Sequence, residues 1–156
     1  MSTFVLLIVT AALVGYLFVT AEIEITAVSV QEVSAADDPI AFHSLQNAVA
    51  QDTFYGTLYQ KPSDWKNPSE YVFLTYTLRV RNNCLVPIDM LEAQVIPRSE
   101  DILQTADLQV KSIEAKSEDD LIVRILTPKG TQPSREIIVS YYLWGKSSNV
   151  KTVYDP

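Results

Sequence analysis

Few residues in this 156-residue chain have side chains suited to catalysis. His43 is the only histidine and Cys84 the only cysteine, which disfavours a Cys/His zinc site and excludes an internal disulfide. A Ser-His-Asp hydrolase would need a serine placed beside His43, and the G-x-S-x-G motif that presents such a serine is absent. We therefore predict that the protein is not an enzyme. We interpret His43 as a surface or packing residue and Cys84 as a half-buried apolar residue at a strand end.

Two acidic clusters are the remaining candidates for ligand binding. Asp37 and Asp38 precede a proline, and Glu118, Asp119 and Asp120 precede a run of apolar residues. Carboxylate oxygens suit calcium, but neither cluster has the D-x-D-x-D spacing that wraps a loop around the ion. We interpret both clusters as solvated turn charges and predict no metal and no cofactor, with calcium left as an alternative.

The charge balance indicates which partners the chain can have. Nineteen acidic residues against twelve basic ones give a net charge of -7, all of it beyond residue 21. An acidic surface repels the phosphates of nucleic acid and the headgroups of anionic lipids. The four glycines form no phosphate-binding loop. We predict no nucleic acid and no small-molecule substrate.

The segment FVLLIVTAALVGYLFVTA, residues 4–21, has no charged side chain. As an α-helix it would be about 27 Å long, close to the ~30 Å hydrocarbon core of a bilayer. We predict a single N-terminal transmembrane-type α-helix over residues 1–21, with a cleaved signal peptide ending in VTA as the alternative. The acidic residues after the helix favour an extracellular domain. The residues predicted to contact lipid or neighbouring copies are Phe4, Leu7, Ala11, Ala12, Gly15, Tyr16 and Phe18.

Beyond residue 21 the hydrophobic pattern changes from helical to alternating. In residues 71–83 every second side chain is large and apolar, which is typical of a half-buried strand. These side chains are Val72, Leu74, Tyr76, Leu78 and Val80. Similar runs recur along the chain and favour an all-β domain over residues 22–156, an immunoglobulin-like two-sheet β-sandwich of about seven strands. Asp38 as N-cap and Pro39 at the first helical position predict a short helix near 39–50.

Two irregularities are predicted within the strands. Gly56 interrupts a strand pattern, which indicates a bulge or a close approach of another backbone segment. In residues 88–95 the apolar positions are Ile88, Met90, Ala93 and Val95, a spacing that slips by one residue. A β-bulge would account for this slip.

Aromatic residues are the one indication of a contact surface in the domain. Large rings occur on both faces of the strands around residues 71–76 and 141–144, so one set points away from the core. Exposed aromatic rings give contact area at low entropic cost. We predict Tyr71, Phe73, Tyr142 and Trp144 as partner-binding aromatics. The alternative is that one set lines the core and the other lies under a loop.

These observations predict a non-catalytic cell-surface structural or interaction protein, a β-sandwich tethered by one N-terminal hydrophobic helix. Membrane lipid or neighbouring copies would contact the helix, and a protein partner or self-association would involve the sandwich. An apolar N-terminal helix joined to a β-rich head resembles the plan of pilins in outline, without a shared motif. The resemblance implies a first alternative, a filament subunit assembled through the helix or through residues 22–33 donated as a strand. An accessory subunit of a membrane complex is the second alternative.

Overall fold

The computed structural model describes residues 2–19, 22–61, 65–106 and 110–156. These ranges contain two α-helices, nine β-strands and one 3-10 turn at Pro68–Glu70. The helices are α1 (Ser2–Val19) and α2 (Pro39–Ala50). The strands are β1 (Ile23–Ser34), β2 (Gly56–Leu58), β3 (Tyr71–Asn82), β4 (Ile88–Val95), β5 (Leu103–Thr105), β6 (Lys111–Ile113), β7 (Glu118–Pro128), β8 (Arg135–Leu143) and β9 (Lys146–Tyr154).

The strands form two antiparallel sheets. The first has the order β1-β3-β7-β5-β2 and the second the order β6-β4-β8-β9. Their inner faces enclose one large apolar core, which confirms the prediction of an all-β two-sheet sandwich. The described strands number nine and not about seven, because β5 has only three residues and β9 has a largely polar sequence, so neither shows the alternation that predicts a strand.

Strand β3 lies in the interior of the first sheet, paired with the edge strand β1 on one side and with β7 on the other. Its five alternating apolar residues from Val72 to Val80 are all buried in the core, as the sequence predicts. On the opposite face Arg79 pairs with Asp120 of β7 at 2.9 Å, and Arg81 pairs with Glu118 at 2.5 Å. Cross-strand ion pairs therefore connect β3 and β7 on the polar half of this face.

Helix α2 covers the other half of that outer face. It begins as predicted, with Pro39 in the first turn and the side chain of Asp38 accepting a hydrogen bond from the Ala41 N–H at 3.2 Å. Phe42 is its one fully buried residue and packs in a second apolar cluster outside the sandwich core. This cluster consists of Ala35, Phe42, Trp65, Phe73, Ile102, Leu103 and Leu126.

Both predicted irregularities are present. Gly56 has φ +149°, and a Cβ at this position would lie 2.2 Å from the carbonyl oxygen of Gln104. Only glycine therefore permits β5 to lie this close to the backbone of residue 56. In β4 the register shifts between Ile88 and Leu91, as a bulge requires. The extra residue turns Met90 outward at φ 54° and places Leu91 in the core, so the inward position predicted for Met90 is wrong.

A fully buried ion pair connects the two sheets at the end away from α1. Arg135 donates from Nη2 and Nε to the two carboxylate oxygens of Asp101, at 2.7 and 3.0 Å. Both side chains are 0% exposed. The remaining guanidinium nitrogen donates to the carbonyl oxygens of Gln132 and Ser134, and the carboxylate also accepts from the Arg98 N–H. Since every polar group has a partner, burial of the pair leaves no charge uncompensated.

We expect Arg135→Met to lower the free energy of unfolding by about 3–5 kcal/mol, because it leaves the Asp101 carboxylate buried without its cation. The exposed pair gives a matched control, and Arg79→Met should cost at most about 1 kcal/mol. Urea unfolding followed by circular dichroism measures both. Equal losses for the two variants would contradict this assignment, as would an Arg135→Met/Asp101→Leu double variant that is no more stable than Arg135→Met alone.

Candidate functional site

Helix α1 exposes apolar side chains on all of its sides. The side chains of residues 3–16 are exposed without a break, and Phe4 is 72% exposed. The large apolar members are Phe4, Val5, Leu6, Leu7, Ile8, Val9, Leu13, Val14 and Tyr16. The predicted helix-contact residues Phe4, Leu7, Ala11, Ala12, Gly15 and Tyr16 all belong to this surface, whereas the side chain of Phe18 lies outside the described part of the structure.

The prediction that this helix spans a membrane is not supported. Within the described ranges, the structure contains no helix whose length and apolar character suffice for a bilayer crossing. Helix α1 has 18 residues. At 1.5 Å per residue it is about 27 Å long. Residues 20 and 21, which the prediction included, lie outside the described residues, so the structure confirms an apolar helix and no more.

Helix α1 joins the sandwich at one end, which we call the helix-proximal end. It consists of residue 22, the loops 83–87 and 114–117, and the turn between β8 and β9. The strand registers bring these segments together, because Ile23 pairs with Asn82 at one edge and Ile88 pairs with Ile113 at the other.

The end of α1 lies against one of these loops. The Glu22 carbonyl oxygen accepts a hydrogen bond from the Asn83 N–H at 3.3 Å. Tyr16 and Leu17 line a small cavity of about 170 Å³ together with Leu85 and Val86. The helix-proximal end and the last turn of α1 therefore form one continuous surface.

The buried side chain of Asn82 holds the loops of this end together. Its amide nitrogen donates to the carbonyl oxygens of Val86, Ile113 and Glu114 at 2.9–3.1 Å. Its amide oxygen accepts from the Cys84 N–H at 2.8 Å. A single amide thus satisfies backbone groups of the loop 83–87, of Glu114 and of the last residue of β6, which fixes the two loops relative to each other.

Two large apolar side chains project from this end. Leu85 in the loop 83–87 is 62% exposed, and Trp144 in the β8–β9 turn is 47% exposed. Trp144 and Gly145 form a two-residue turn with φ angles of 49° and 78°. Positive φ at both positions is the type I′ hairpin geometry, for which Asn-Gly is preferred. A tryptophan in this left-handed conformation is strained, since its Cβ crowds the backbone.

We expect Trp144→Asn to raise the free energy of unfolding by about 1 kcal/mol, because asparagine adopts the left-handed conformation more readily. Gly145→Ala is the matched control at the neighbouring position. It should lower the free energy of unfolding by about 1 kcal/mol, since φ of 78° is unfavourable for alanine although nothing lies within 4 Å of its Cβ. A loss of stability in Trp144→Asn, measured by thermal or urea unfolding, would show that packing of the indole outweighs the backbone strain.

The four predicted partner-binding aromatics do not form one surface. Phe73 is 2% exposed beneath α2, with the Arg124 guanidinium 5.3 Å from its ring centre. Tyr71 is half-buried, and its ring lies 5.7 Å from that of Phe42. Only Tyr142 and Trp144 are exposed on the second sheet. The prediction of four partner-binding aromatics is therefore corrected, because α2 covers Tyr71 and Phe73.

One signal in the sequence indicates that α2 covers Tyr71 and Phe73. The apolar positions of residues 41–49 need a surface to cover, and the rings at Tyr71 and Phe73 are the apolar exception on an otherwise polar strand face. Leu85 was not predicted as part of the candidate site, because the sequence contains no signal for it. An isolated leucine in a loop carries no periodic signal, and only the fold places it beside α1.

A groove of about 510 Å³ is lined by residues of both sheets, among them β5 and β7 of the first and β4 and β8 of the second, and contains several exposed apolar side chains. The bulge in β4 projects Met90 into this groove, beside Tyr142 of β8. The other exposed apolar residues of its lining are Tyr55, Val110 and Ile122. The lining of the groove also includes polar residues such as Glu92, Gln104 and Ser140, so the groove is a mixed surface, distinct from the helix-proximal end.

The residues with catalytic potential have structural partners. His43 is exposed on α2, with Nδ1 2.7 Å from the side-chain oxygen of Gln46. Burial raises the pKa of the Cys84 thiol, which makes it a poor nucleophile at neutral pH. Of the acidic trio, Glu118 and Asp120 pair with arginines and Asp119 with Lys111 at 3.3 Å. Among residues 2–19, 22–61, 65–106 and 110–156, no three Cys, His, Asp or Glu side chains group as metal ligands would.

No protein-family model matches the sequence, and no curated protein matches it. The crystal structure of an uncharacterized beta-sandwich protein from Clostridium difficile 630 is similar to this chain. The two are 14% identical, 83% of each chain is covered, and the TM-score is 0.29. A TM-score this low carries no argument about function.

Proposed function

We propose that the chain is a non-catalytic structural or interaction protein of the cell surface. In this proposal helix α1 is buried in lipid and tethers the β-sandwich to the membrane. The observation that carries the proposal is the unbroken exposure of the side chains of residues 3–16. Burying a large apolar side chain contributes about 1.5–3 kcal/mol, so this helix has a strong drive to leave water.

The distribution of the apolar side chains favours lipid as the cover. Consecutive residues from Phe4 to Val9 are all large and apolar, so they surround the helix and do not form a stripe. A groove on one partner covers only one side of a helix. A lipid phase covers all sides, and α1 contains no charged residue that would oppose its entry. Since no helix among the described residues is long and apolar enough for a crossing, the proposal concerns the burial of α1 in lipid and does not assign a crossing.

The extracellular location rests on charge. No basic residue lies within or just after α1, and the first charged residues beyond it are Glu22 and Glu24. Basic residues are what retain a flanking segment in the cytoplasm. The lack of basic residues on this flank therefore supports an outward-facing domain.

We also infer that the sandwich is of the immunoglobulin type. The order β1-β3-β7-β5 corresponds to strands A, B, E and D, and β4-β8-β9 corresponds to C, F and G. The short strands β2 and β6 are additions at the two sheet edges. Domains of this architecture serve recognition and spacing on many cell surfaces, which agrees with a role that needs no catalytic residues.

A filament subunit is the second candidate, because a bundle of neighbouring copies also covers a helix on all sides. Ala11, Ala12 and Gly15 lie on one face of α1 and would allow two helices to approach closely. Assembly by a donated strand has less support. Residues 23–34 are already paired with β3 from Ile23–Asn82 to Ser34–Val72, so donation would open the first sheet. An accessory subunit of a membrane complex would bury the same helix against other chains.

We expect the full chain to float with phosphatidylcholine vesicles in a density gradient. Leu7→Lys combined with Leu13→Lys should abolish flotation, since each lysine costs about 2.5–3.5 kcal/mol in the hydrocarbon region. The control is Ile40→Lys, at an apolar position of α2 that is 83% exposed, and it should float as the parent chain does.

The same fractions should be examined by negative-stain electron microscopy. Vesicles without fibres support the membrane tether. Fibres that sediment without lipid and disappear in the double-lysine variant would overturn it in favour of the filament. A parent chain that stays at the bottom of the gradient as a monomer would contradict both candidates.

A further inference from the structure

We propose that the helix-proximal end of the sandwich rests directly on the lipid surface, with Trp144 and Leu85 inserted at the membrane–water interface. This proposal depends on the membrane tether proposed above and adds a second contact with lipid, made by the folded domain itself. It also sets the orientation of the domain, which stands with its strands directed away from the membrane.

The length of the connection to α1 brings this end close to the membrane. Helix α1 ends at Val19 and β1 begins at Ile23. At 3.3–3.6 Å per residue this connection spans at most about 14 Å, however it is arranged. The polar headgroup region has a thickness of about 5–7 Å on each side of the hydrocarbon core. With α1 in lipid, the loops around residue 22 therefore cannot lie far outside the headgroups.

The side chains at this end suit an interface. Trp144 and Leu85 are exposed at the same end of the sandwich, and Leu85 lies beside Tyr16 of α1. Tryptophan and tyrosine are enriched at membrane–water interfaces, where an apolar ring body meets a polar edge. The strained turn supports the same conclusion. The β8–β9 turn holds a tryptophan at its tip in a backbone conformation that favours asparagine or glycine.

The charges at this end decide which lipid it fits. The helix-proximal end contains the acidic residues Glu22 and Glu114 and the basic residue Lys116, and Lys146 directly follows the β8–β9 turn. The amine of Lys116 donates to the carbonyl oxygen of Asn83, which holds this positive charge against the loop 83–87. Two acids against two lysines leave this end without net charge in a chain of charge -7. We therefore expect contact with a zwitterionic surface and no requirement for anionic lipid.

The two tryptophans of the chain provide a direct test on the full-length protein. Trp65 is buried under α2, whereas Trp144 is exposed at the helix-proximal end. The probe is phosphatidylcholine vesicles that carry bromine either near the headgroup or near the methyl end of the acyl chain, since bromine quenches indole emission at contact. We expect the emission of Trp144 to shift to shorter wavelength and to be quenched most by the shallow bromines. In Trp144→Asn the remaining Trp65 signal should not respond.

A second measurement does not depend on indole fluorescence. In a Cys84→Ser background, an environment-sensitive dye is attached at Leu85→Cys and, as the matched control, at Lys129→Cys. Lys129 is exposed in the turn after β7, at the opposite end of the sandwich. We expect the dye at position 85 to report an apolar environment on addition of vesicles and the dye at position 129 to report none. Addition of salt should leave both results unchanged.

The outcomes separate this proposal from the one it depends on. Flotation with shallow quenching of Trp144 and a response confined to position 85 supports both. Flotation without quenching and without a response at position 85 leaves the tether intact and overturns the contact of the domain. Equal responses at positions 85 and 129 would show a domain lying flat on the lipid and overturn the upright orientation. Absence of flotation overturns both proposals.

Discussion

The packing of strand β3 against the sandwich core on one face and against helix α2 on part of the other is the constraint on which the rest of the structure depends. Its inner face supplies five residues to the sandwich core, and its outer face presents Phe73 to helix α2. Its two neighbours, β1 and β7, pair with it along almost their whole length. Since a shift of one residue would exchange the two faces, the apolar pattern of β3 fixes the register of the entire first sheet.

The same strand also positions the surface that we assign to lipid. Its last residue, Asn82, holds the loops of the helix-proximal end with one amide. Near its middle, the Tyr76 hydroxyl donates to the Pro133 carbonyl oxygen at 2.7 Å and so connects it to the turn before β8. Burial raises the pKa of Tyr76 to about 12, so this hydroxyl stays a donor throughout the physiological range. Apolar packing thus holds the sheets together, while single polar side chains decide where the loops lie.

Much of the fold could be predicted from local pattern, and most of the candidate site could not. Alternation over β3 and the Asp38–Pro39 helix start are local signals that the structure reproduces, and the slip near Met90 was visible as a break in period. Strand β5 was missed because its pairing with the distant strand β7 defines it, and β9 was missed because its side chains are mostly polar. The cover of Phe73 by α2 is likewise a contact between distant segments, as is the approach of Leu85 to α1. The Trp144–Gly145 turn escaped notice because tryptophan is not a residue that turn signals include.

The length of β3 has a consequence for the reach of the molecule. It has 12 residues, which at about 3.3 Å per residue span about 40 Å. With the helix-proximal end on lipid as proposed, the turns at the opposite end stand at roughly that height above the hydrocarbon boundary. The short connection after α1 restricts the movement of the domain relative to the membrane. The sandwich therefore holds its far end at a fixed distance from the lipid. A partner bound at the end of the sandwich opposite the helix-proximal end would be held at a set distance from the cell. A molecule larger than this distance would be kept away from the lipid beneath the partner.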